Sequence, residues 1–268
     1  MIASTDQTRI NAAKTKSALV LSAGGMFGSY QAGAWDALSE VFQPDVVVGA
    51  SIGSINGYLI ASGCDPHELI RQWLTLENAS SHRWRMPRLL TEGVIDCSPM
   101  EARLQKICLE YQPKIEYGVV VTELRTLKPR LFRWPAIGWE HLAASCAVPV
   151  LLKNPRIGGL LYCDGGVVDP LPLWAAVEMG ASKIVAVNLL KHRPRVIRAA
   201  VHAAQMYSRY RTLNSGEFEV VEVSPGRPLG TVADTMYWRR ENAQRWIALG
   251  QQDGSNVKHL VVECLNRA

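Results

Sequence analysis

Residues 46–57 read VVVGASIGSING, an apolar run that passes without a break into a glycine-rich one. The run 46–50 predicts a buried strand, and the residues from Ile52 to Ser62 predict a helix directly after it. Ser51 is therefore the centre of a G-x-S-x-G pattern at a strand-to-helix turn. Such a turn holds a serine hydroxyl out at the carboxyl edge of a sheet, and the amide of Ile52 at the helix start faces the reacting oxygen. This placement predicts that Ser51 is a nucleophile.

The rest of the chain repeats the alternation of apolar runs with longer helix-like stretches. Near-continuous apolar strands separated by helices are typical of a parallel sheet covered on both faces. We therefore predict an α/β fold with three layers, α/β/α, around a central and mostly parallel sheet. The predicted strands are 17–22, 46–50, 119–122, 160–163 and 183–189, and the predicted helices are 28–41, 52–62, 66–77 and 172–179.

We expect one α/β hydrolase domain over residues 17–268, preceded by a flexible N-terminal arm at 1–16. The arm is polar and lacks the apolar middle of a secretory signal. Residues 78–117 are rich in Arg and Pro, which predicts an irregular insertion or flap. Residues 191–268 predict a helical C-terminal part that ends in two helices with a break near Gly254.

The composition is that of an ordinary globular protein, with 48% hydrophobic residues, 20% charged residues and a net charge of +5. It excludes a disordered chain, a collagen-like chain and a membrane-embedded bundle. No run reaches the ~18 apolar residues that a membrane span needs. The six cysteines show neither close pairing nor metal-ligand spacing, so we expect reduced thiols, no metal and a cytoplasmic protein, with peripheral contact to a membrane as an option.

The glycine-rich loop of residues 23–28, AGGMFG, follows the first predicted strand. A dinucleotide-binding loop would need glycine at position 23 and an acid at the end of the second strand, but Ala23 and Ser51 occupy these places. We therefore expect no nucleotide cofactor. If the first two strands are neighbours, the amides of Gly24 and Gly25 face the space beside Ser51, where donors would hold a developing oxyanion.

A nucleophilic serine needs a proton acceptor, and Asp164 is the better candidate. It leaves the strand 160–163 at its end, followed by Gly165 and Gly166, although an Asp-Gly turn can also be a mere connection. The alternative is the order Ser, acid, His of α/β-hydrolases, which usually have several strands before the serine. None of the histidines lies in a recognisable motif, and they are His67, His82, His141, His192, His202 and His259.

Taken together, these motifs resemble those of the patatin-like phospholipase family. The resemblance covers residues 17–190, and 191–268 add no motif to it. Its stretches are LVLSAGGMFGSYQAG (19–33), VVVGASIGSING (46–57), SCAVP (145–149), YCDGGVVDPLPL (162–173) and AAVEMGASKIVAVNL (175–189).

The resemblance implies a serine acyl-ester hydrolase that acts on phospholipid or neutral lipid esters without a histidine, cofactor or metal. Ser51 and Asp164 would form a dyad, with the aspartate accepting the serine proton. The amides of Gly24 and Gly25, together with that of Met26, would hold the oxyanion. An ordinary aspartate, with a pKa near 3.9, is already ionised at neutral pH and ready to accept a proton.

The sequence departs from the family pattern at three places. Ala23 replaces the first glycine of the loop, Phe27 replaces a basic residue, and Asp169-Pro170 replaces an asparagine pair. The loss of the cation at Phe27 keeps open an alternative, a catalytically impaired lipid-binding or regulatory protein on the same fold.

Basic and aromatic residues alternate at 83–88 (RWRMPR) and at 130–134 (RLFRW), and residues 191–211 carry six basic residues and no acid. These segments could contact a membrane surface transiently, with Trp at the interface and Arg at phosphate. Ordinary solvated faces explain them equally well. No nucleic-acid-binding module accompanies the charge, so we expect no nucleic acid partner.

Overall fold

The computed structural model describes residues 15–76, 87, 89–192, 195–208 and 218–267. In this part of the chain the strands are β1 Lys16–Leu21, β2 Val46–Ala50, β3 Glu116–Glu123, β4 Lys128–Arg133, β5 Arg156–Ile157, β6 Leu160–Asp164, β7 Ala181–Val187 and β8 Glu219–Val223. The α-helices are α1 Gly28–Leu38, α2 Ile52–Ala61, α3 Pro66–Leu74, α4 Ser98–Glu110, α5 Trp139–Cys146, α6 Leu173–Glu178, α7 Arg195–Ser208 and α8 Arg240–Asn266. Short 3-10 turns lie at Gly25–Phe27, Leu90–Glu92, Gly165–Val167 and Ala233–Thr235.

The predicted α/β fold with a mostly parallel sheet is confirmed. Strand β1 is central, with β2 and then β3 on one side and β7 and then β8 on the other, all parallel. Alternate residues of β1 face different helical layers: Leu19 and Leu21 pack in the cluster that contains α1, α2 and α8, whereas Ala18 and Val20 pack against α6. Burial on both faces explains why these strands are apolar at nearly every position.

Strands β2 and β6 meet end to end along one flank of β3. The other flank is taken by β4, which runs antiparallel to β3 and pairs with it from Gly118 to Glu123. Strand β2 is parallel to β3 and ends with Ala50 opposite Val120, while β6 approaches from the opposite direction and ends with Asp164 opposite Val121. The residue that follows β2 and the last residue of β6 are therefore brought together, although they are far apart in the sequence.

The C-terminal region differs from its prediction in two respects. Strand β8 lies within the part expected to be helical and extends the sheet beside β7. The prediction of two helices with a break near Gly254 was wrong, because α8 is one continuous helix through that residue. A methyl group at Gly254 would lie 2.9 Å from the carbonyl oxygen of Ala34 in α1. The glycine therefore permits close helix packing instead of ending the helix.

Most local predictions agree with the structure to within a few residues. Asp65 caps α3, because its carboxylate accepts the amides of His67 at 2.9 Å and Glu68 at 3.2 Å. The region 78–117 is less irregular than expected, since its described part contains α4 and the start of β3. Strand β4 was not predicted, because alternating basic and apolar residues at an outer strand lack the continuous apolar signal of the inner ones.

Candidate active site

Ser51 occupies a strained turn between β2 and α2. Its φ of 53° and ψ of −129° lie in a region that residues with side chains rarely adopt. The conformation is held on both sides of the residue: the amide of Ser51 donates to Oγ of Ser145 at 2.8 Å, and its carbonyl oxygen accepts from Oγ of Ser54 at 2.6 Å. The turn predicted from the G-x-S-x-G pattern is therefore present, and it directs the Ser51 hydroxyl toward the end of β6.

The hydroxyl of Ser51 donates a hydrogen bond to Oδ2 of Asp164 at 2.6 Å. Oδ1 of the same carboxylate accepts the amide of Gly166 at 2.7 Å, which orients the carboxylate from the turn that follows it. Both residues are buried, with only 7% of Ser51 and 5% of Asp164 exposed. The structure thus brings together the two residues that the sequence analysis singled out as nucleophile and proton acceptor.

Burial raises the pKa of Asp164 to about 6, and the hydrogen bonds from Ser51 and Gly166 oppose this rise without cancelling it. This value corrects the expectation of an ordinary aspartate. At neutral pH the carboxylate is still mainly ionised, but it is a stronger base than a solvated aspartate. The arrangement is therefore better suited to accept a proton from an alcohol than the sequence analysis assumed.

The glycine loop lies against the turn that carries Asp164. A methyl group at Gly166 would come within 2.4 Å of Cβ of Ala23, and the amide of Ala23 donates to the carbonyl oxygen of Pro170 at 2.8 Å. Gly25 has a φ of +56°, which turns the chain sharply into the 3-10 turn that precedes α1. In the described part of the chain, no protein acceptor is recorded for the amides of Gly24, Gly25 and Met26.

Ile52 is the first residue of α2 and follows Ser51 directly, so its amide belongs to the unpaired first turn of that helix. Its side chain lies near Gly28, the first residue of α1, where an added methyl group would come within 2.5 Å of the isoleucine. The helix N-terminus and the glycine loop are therefore neighbours. Their free amides provide the kind of donors that an oxyanion needs.

Ser145 is a site residue that the sequence analysis did not identify. It is fully buried near the end of α5, where its Oγ accepts the amide of Ser51 and donates to the carbonyl oxygen of Val120 in β3 at 2.7 Å. The only signal in the sequence was its place in the SCAVP stretch. Ser145 and its two partners lie on three separate parts of the chain, so the spacing of residues could not reveal the contact.

Cys146 follows Ser145 and lies beside the two candidate catalytic residues. Burial raises the pKa of its thiol far above the usual range, and the Asp164 carboxylate raises it further, while hydrogen bonding with Ser54 and Ser51 acts in the opposite direction. The thiol is therefore protonated at neutral pH. A protonated thiol is a poor nucleophile, so Cys146 does not compete with Ser51.

Phe27 occupies the position where the family pattern has a basic residue, and the structure directs it into the core. Its ring stands edge-on to Trp246 of α8, with 4.9 Å between the ring centroids. The indole nitrogen of Trp246 donates to the carbonyl oxygen of Leu229 at 3.0 Å. An aromatic contact with the C-terminal helix thus replaces a cation near the glycine loop.

Within the described residues, the histidines and the basic segments do not contribute to this cluster, and His82 lies outside those residues. Among the described histidines, none has a recorded hydrogen bond with Ser51; His141, for example, accepts the amide of Gly138 at the start of α5. In the 130–134 segment, Arg130 and Arg133 form ion pairs with Glu123 and Glu178. Residues 83–86 and 88 of the first basic segment lie outside the described residues, as do 193–194 and 209–211 of the last one.

The described residues provide neither a metal-binding cluster nor a membrane-spanning helix. They contain no group of three or more His, Cys, Asp or Glu side chains arranged to hold a metal ion. Among the described helices, none has both the length and the apolar character that a membrane crossing requires.

One family model and several known proteins are similar to this chain. The model of the patatin-like phospholipase family matches residues 19–177, more than half of the chain. An uncharacterized NTE family protein of Mycobacterium bovis is 28% identical over 177 residues, which are 64% of this chain and 48% of that protein. Human patatin-like phospholipase domain-containing protein 6 is also 28% identical, over 187 residues that cover 64% of this chain and 13% of that protein.

A lysophospholipase of Aspergillus terreus is 25% identical over 178 residues, covering 64% of this chain and 12% of its own length. The chain therefore spans about half, or much less, of the length of these relatives. Among solved structures, VipD from Legionella pneumophila has a similar fold, with a TM-score of 0.50 and 14% identity over 94% of this chain and 67% of VipD. The match over residues 19–177 shows that the chain belongs to the patatin-like phospholipase family.

Proposed function

We propose that the protein is a lipid acyl-ester hydrolase in which Ser51 is the nucleophile and Asp164 is the general base. The observation that carries the proposal is the hydrogen bond of 2.6 Å from the Ser51 hydroxyl to the buried Asp164 carboxylate. Family membership supports a lipid acyl ester as the substrate class. The free amides of Gly24, Gly25 and Met26, with that of Ile52, supply the oxyanion donors in this proposal.

The first half of the reaction transfers the acyl group to the enzyme. Asp164 takes the proton of the Ser51 hydroxyl as Oγ forms a bond to the ester carbonyl carbon, and the carbonyl oxygen becomes the oxyanion held by the amides. When the tetrahedral intermediate collapses, the bond to the leaving alcohol breaks. The departing oxygen takes the proton from Asp164.

The second half releases the fatty acid. A water molecule gives a proton to Asp164 and attacks the acyl-enzyme carbonyl, which forms a second tetrahedral intermediate at the same amides. Its collapse breaks the bond to Oγ of Ser51, and the proton held by Asp164 returns to the serine oxygen. The enzyme is thus regenerated without a histidine at any step.

The test uses short-chain nitrophenyl esters and a fluorophosphonate label. We expect Ser51→Ala to abolish labelling, and Ser51→Ala and Asp164→Asn each to lower kcat by about a thousandfold or more, while replacement of each of the six histidines leaves it nearly unchanged. The kcat/KM of the unmodified protein should fall about tenfold per pH unit below pH of about 6, because Asp164 must be ionised to accept the proton.

Several results would contradict the proposal. Undiminished hydrolysis by Asp164→Asn would exclude the aspartate as the base. An unmodified protein that neither hydrolyses any ester nor reacts with the fluorophosphonate would favour the lipid-binding alternative, which Phe27 and its contact with Trp246 keep in view.

A further inference from the structure

Four exposed apolar side chains lie on neighbouring loops next to the site. Val148 and Val150 belong to the loop that follows α5, Leu89 to the segment that runs beside this loop, and Leu160 to the first position of β6. We refer to these four residues as the apolar lip. Exposed apolar residues are ordinary when scattered, but clustering beside a site is typical of an interaction surface.

The lip is held by a network of backbone hydrogen bonds. The amide of Val94 donates to the carbonyl oxygen of Val150 at 3.0 Å, and the amide of Asn154 donates to that of Thr91 at 2.8 Å. The side chain of Asn154, which is buried, also donates to the carbonyl oxygen of Ala147 at 3.0 Å. The apolar side chains are therefore presented on a fixed frame.

Val150 carries the strongest indication that the lip has a function. Its φ is +70°, a conformation that is unusual for any residue with a side chain and most unfavourable for a β-branched one. Glycine or asparagine would fit this position with less strain, yet a valine with 48% of its surface exposed occupies it. The strained backbone at Val150 holds an apolar side chain in water, so it does not contribute to packing of the core. This indicates a role at the surface.

The lip is directly connected to the dyad. The carbonyl oxygen of Ala147 accepts both the side chain of Asn154 and the amide of Asp164, the latter at 3.0 Å. Leu160 lies beyond the carboxyl end of β3, because the amide of Leu124, just past that end, donates to the carbonyl oxygen of Leu161 at 2.9 Å. This is the same edge of the sheet at which Ser51 lies.

Basic side chains lie next to the apolar lip. Arg125 is exposed in the turn beside Leu160, and Lys153 and Arg156 follow the loop that carries Val150. The acids on the segment that runs beside this loop are Glu92, Asp96 and Glu101, and Glu101 is 3.9 Å from the ammonium group of Lys153. Lys128 ends the turn that contains Arg125, so four cations stand against these three acids, and the slight positive excess complements an anionic lipid surface.

We propose that the apolar lip docks on the surface of an anionic membrane and places the mouth of the site against the lipid. The choice of a lipid as the occupant rests on the proposed function. What is new is the surface of the protein that contacts the lipid. Val148, Val150, Leu89 and Leu160 enter the interfacial region, and the cations contact headgroup phosphates. An ester in the bilayer then reaches the buried Ser51 without passing through water.

The test measures co-sedimentation with vesicles of phosphatidylcholine and phosphatidylglycerol, using the Ser51→Ala protein so that no lipid is consumed. We expect Val150→Asn to weaken vesicle binding about fivefold, as the loss of one half-exposed valine predicts. Its Tm should not fall, because asparagine tolerates a positive φ. The matched control is Leu109→Asn. The side chain of Leu109 is 84% exposed and lies at the end of α4, just before the connection to the start of β3. This variant should bind like the parent protein.

A second measurement separates this proposal from the proposed function. In the protein with Ser51 intact, Val150→Asn should lower hydrolysis of vesicle lipid about fivefold while kcat/KM for a soluble nitrophenyl butyrate stays unchanged. If no ester is hydrolysed but vesicle binding still depends on Val150, the docking proposal stands and the hydrolase fails.

The docking proposal is overturned if the parent protein does not bind vesicles or if Val150→Asn binds as well as the parent. It is also overturned if Leu109→Asn weakens binding equally. Self-association of the parent chain that Val150→Asn abolishes would instead assign the lip to a protein interface.

Discussion

The backbone of Ser51 illustrates how neighbouring residues support a strained position. A residue with a side chain at φ 53° and ψ −129° costs on the order of 1–3 kcal/mol relative to a relaxed conformation. Ser145 offsets part of this cost, because its buried hydroxyl accepts the Ser51 amide and donates to Val120 in β3. Ser51 is therefore positioned by a side chain from another element as well as by its own turn.

We expect Ser145→Ala to lower kcat by about tenfold with little change in KM. The substitution leaves the buried amide of Ser51 and the buried carbonyl of Val120 without their partner, so the free energy of unfolding should fall by about 2–4 kcal/mol. Steady-state kinetics on a soluble ester, together with urea unfolding, measure both effects. Ser145→Cys, which keeps a weak donor and acceptor of similar size, should recover part of kcat.

The control for Ser145 is Ser62→Ala. Ser62 is also buried, and its hydroxyl donates to the carbonyl oxygen of Tyr58 at 2.7 Å at the far end of α2. Its loss should lower stability without changing kcat. Equal kinetic effects of the two substitutions would show that Ser145 acts only through general stability.

At the level of elements, the glycine loop depends on a segment outside the matched family region. Gly25 faces the 3-10 turn Ala233–Thr235, and a methyl group on it would lie 2.2 Å from the carbonyl oxygen of Thr235. Phe27 in the same loop packs on Trp246 of α8. Residues beyond position 177 therefore help to fix the loop that supplies the proposed oxyanion donors.

We expect Gly25→Ala to lower kcat/KM for a soluble ester by about a hundredfold, because the added methyl group must displace either Thr235 or the loop. Gly158→Ala is a close control: Gly158 has the same φ of +56°, but an added methyl group would meet nothing within 4 Å. The two substitutions share the backbone strain, and only the first one disturbs the loop. A similar loss of activity in both would contradict the role given to the contact with Thr235.

For the whole molecule, the buried carboxyl group of Asp164 creates a link between pH and stability. Burial shifts the pKa of Asp164 from 3.8 to about 6. The free energy of unfolding is therefore about 3 kcal/mol higher when Asp164 is protonated than when it is ionised. The folded chain holds this proton more tightly than the unfolded chain does. The resulting contribution to stability is fully present below a pH of about 3.8 and is lost as the pH rises through about 6.

Asp164→Asn should remove this dependence, because the amide does not titrate. The difference in free energy of unfolding, variant minus unmodified protein, should rise with pH across the window from about 4 to about 6 and then level off, for a total of about 3 kcal/mol. Urea unfolding at a series of pH values measures it. A difference that stays constant with pH would mean that Asp164 has an ordinary pKa in the folded protein.

The sequence by itself determined the local elements of this protein. The G-x-S-x-G turn at Ser51, the cap at Asp65 and the apolar strands β1, β2 and β7 all follow from patterns within a few residues, because helix caps, turns and buried strands are set by near neighbours along the chain. The three motifs, in their order along the chain, indicated the family. The resemblance to that family then implied the pairing of Ser51 with Asp164.

Only the tertiary structure decided how the distant parts meet. The head-on approach of β2 and β6 beside β3, the contact of Ser145 with Ser51 and the continuation of α8 through Gly254 all depend on register and close packing between remote segments. The raised pKa of Asp164 has the same origin, since it results from exclusion of water by the assembled fold. Burial and register are properties of the folded chain as a whole, and no short stretch of residues contains them.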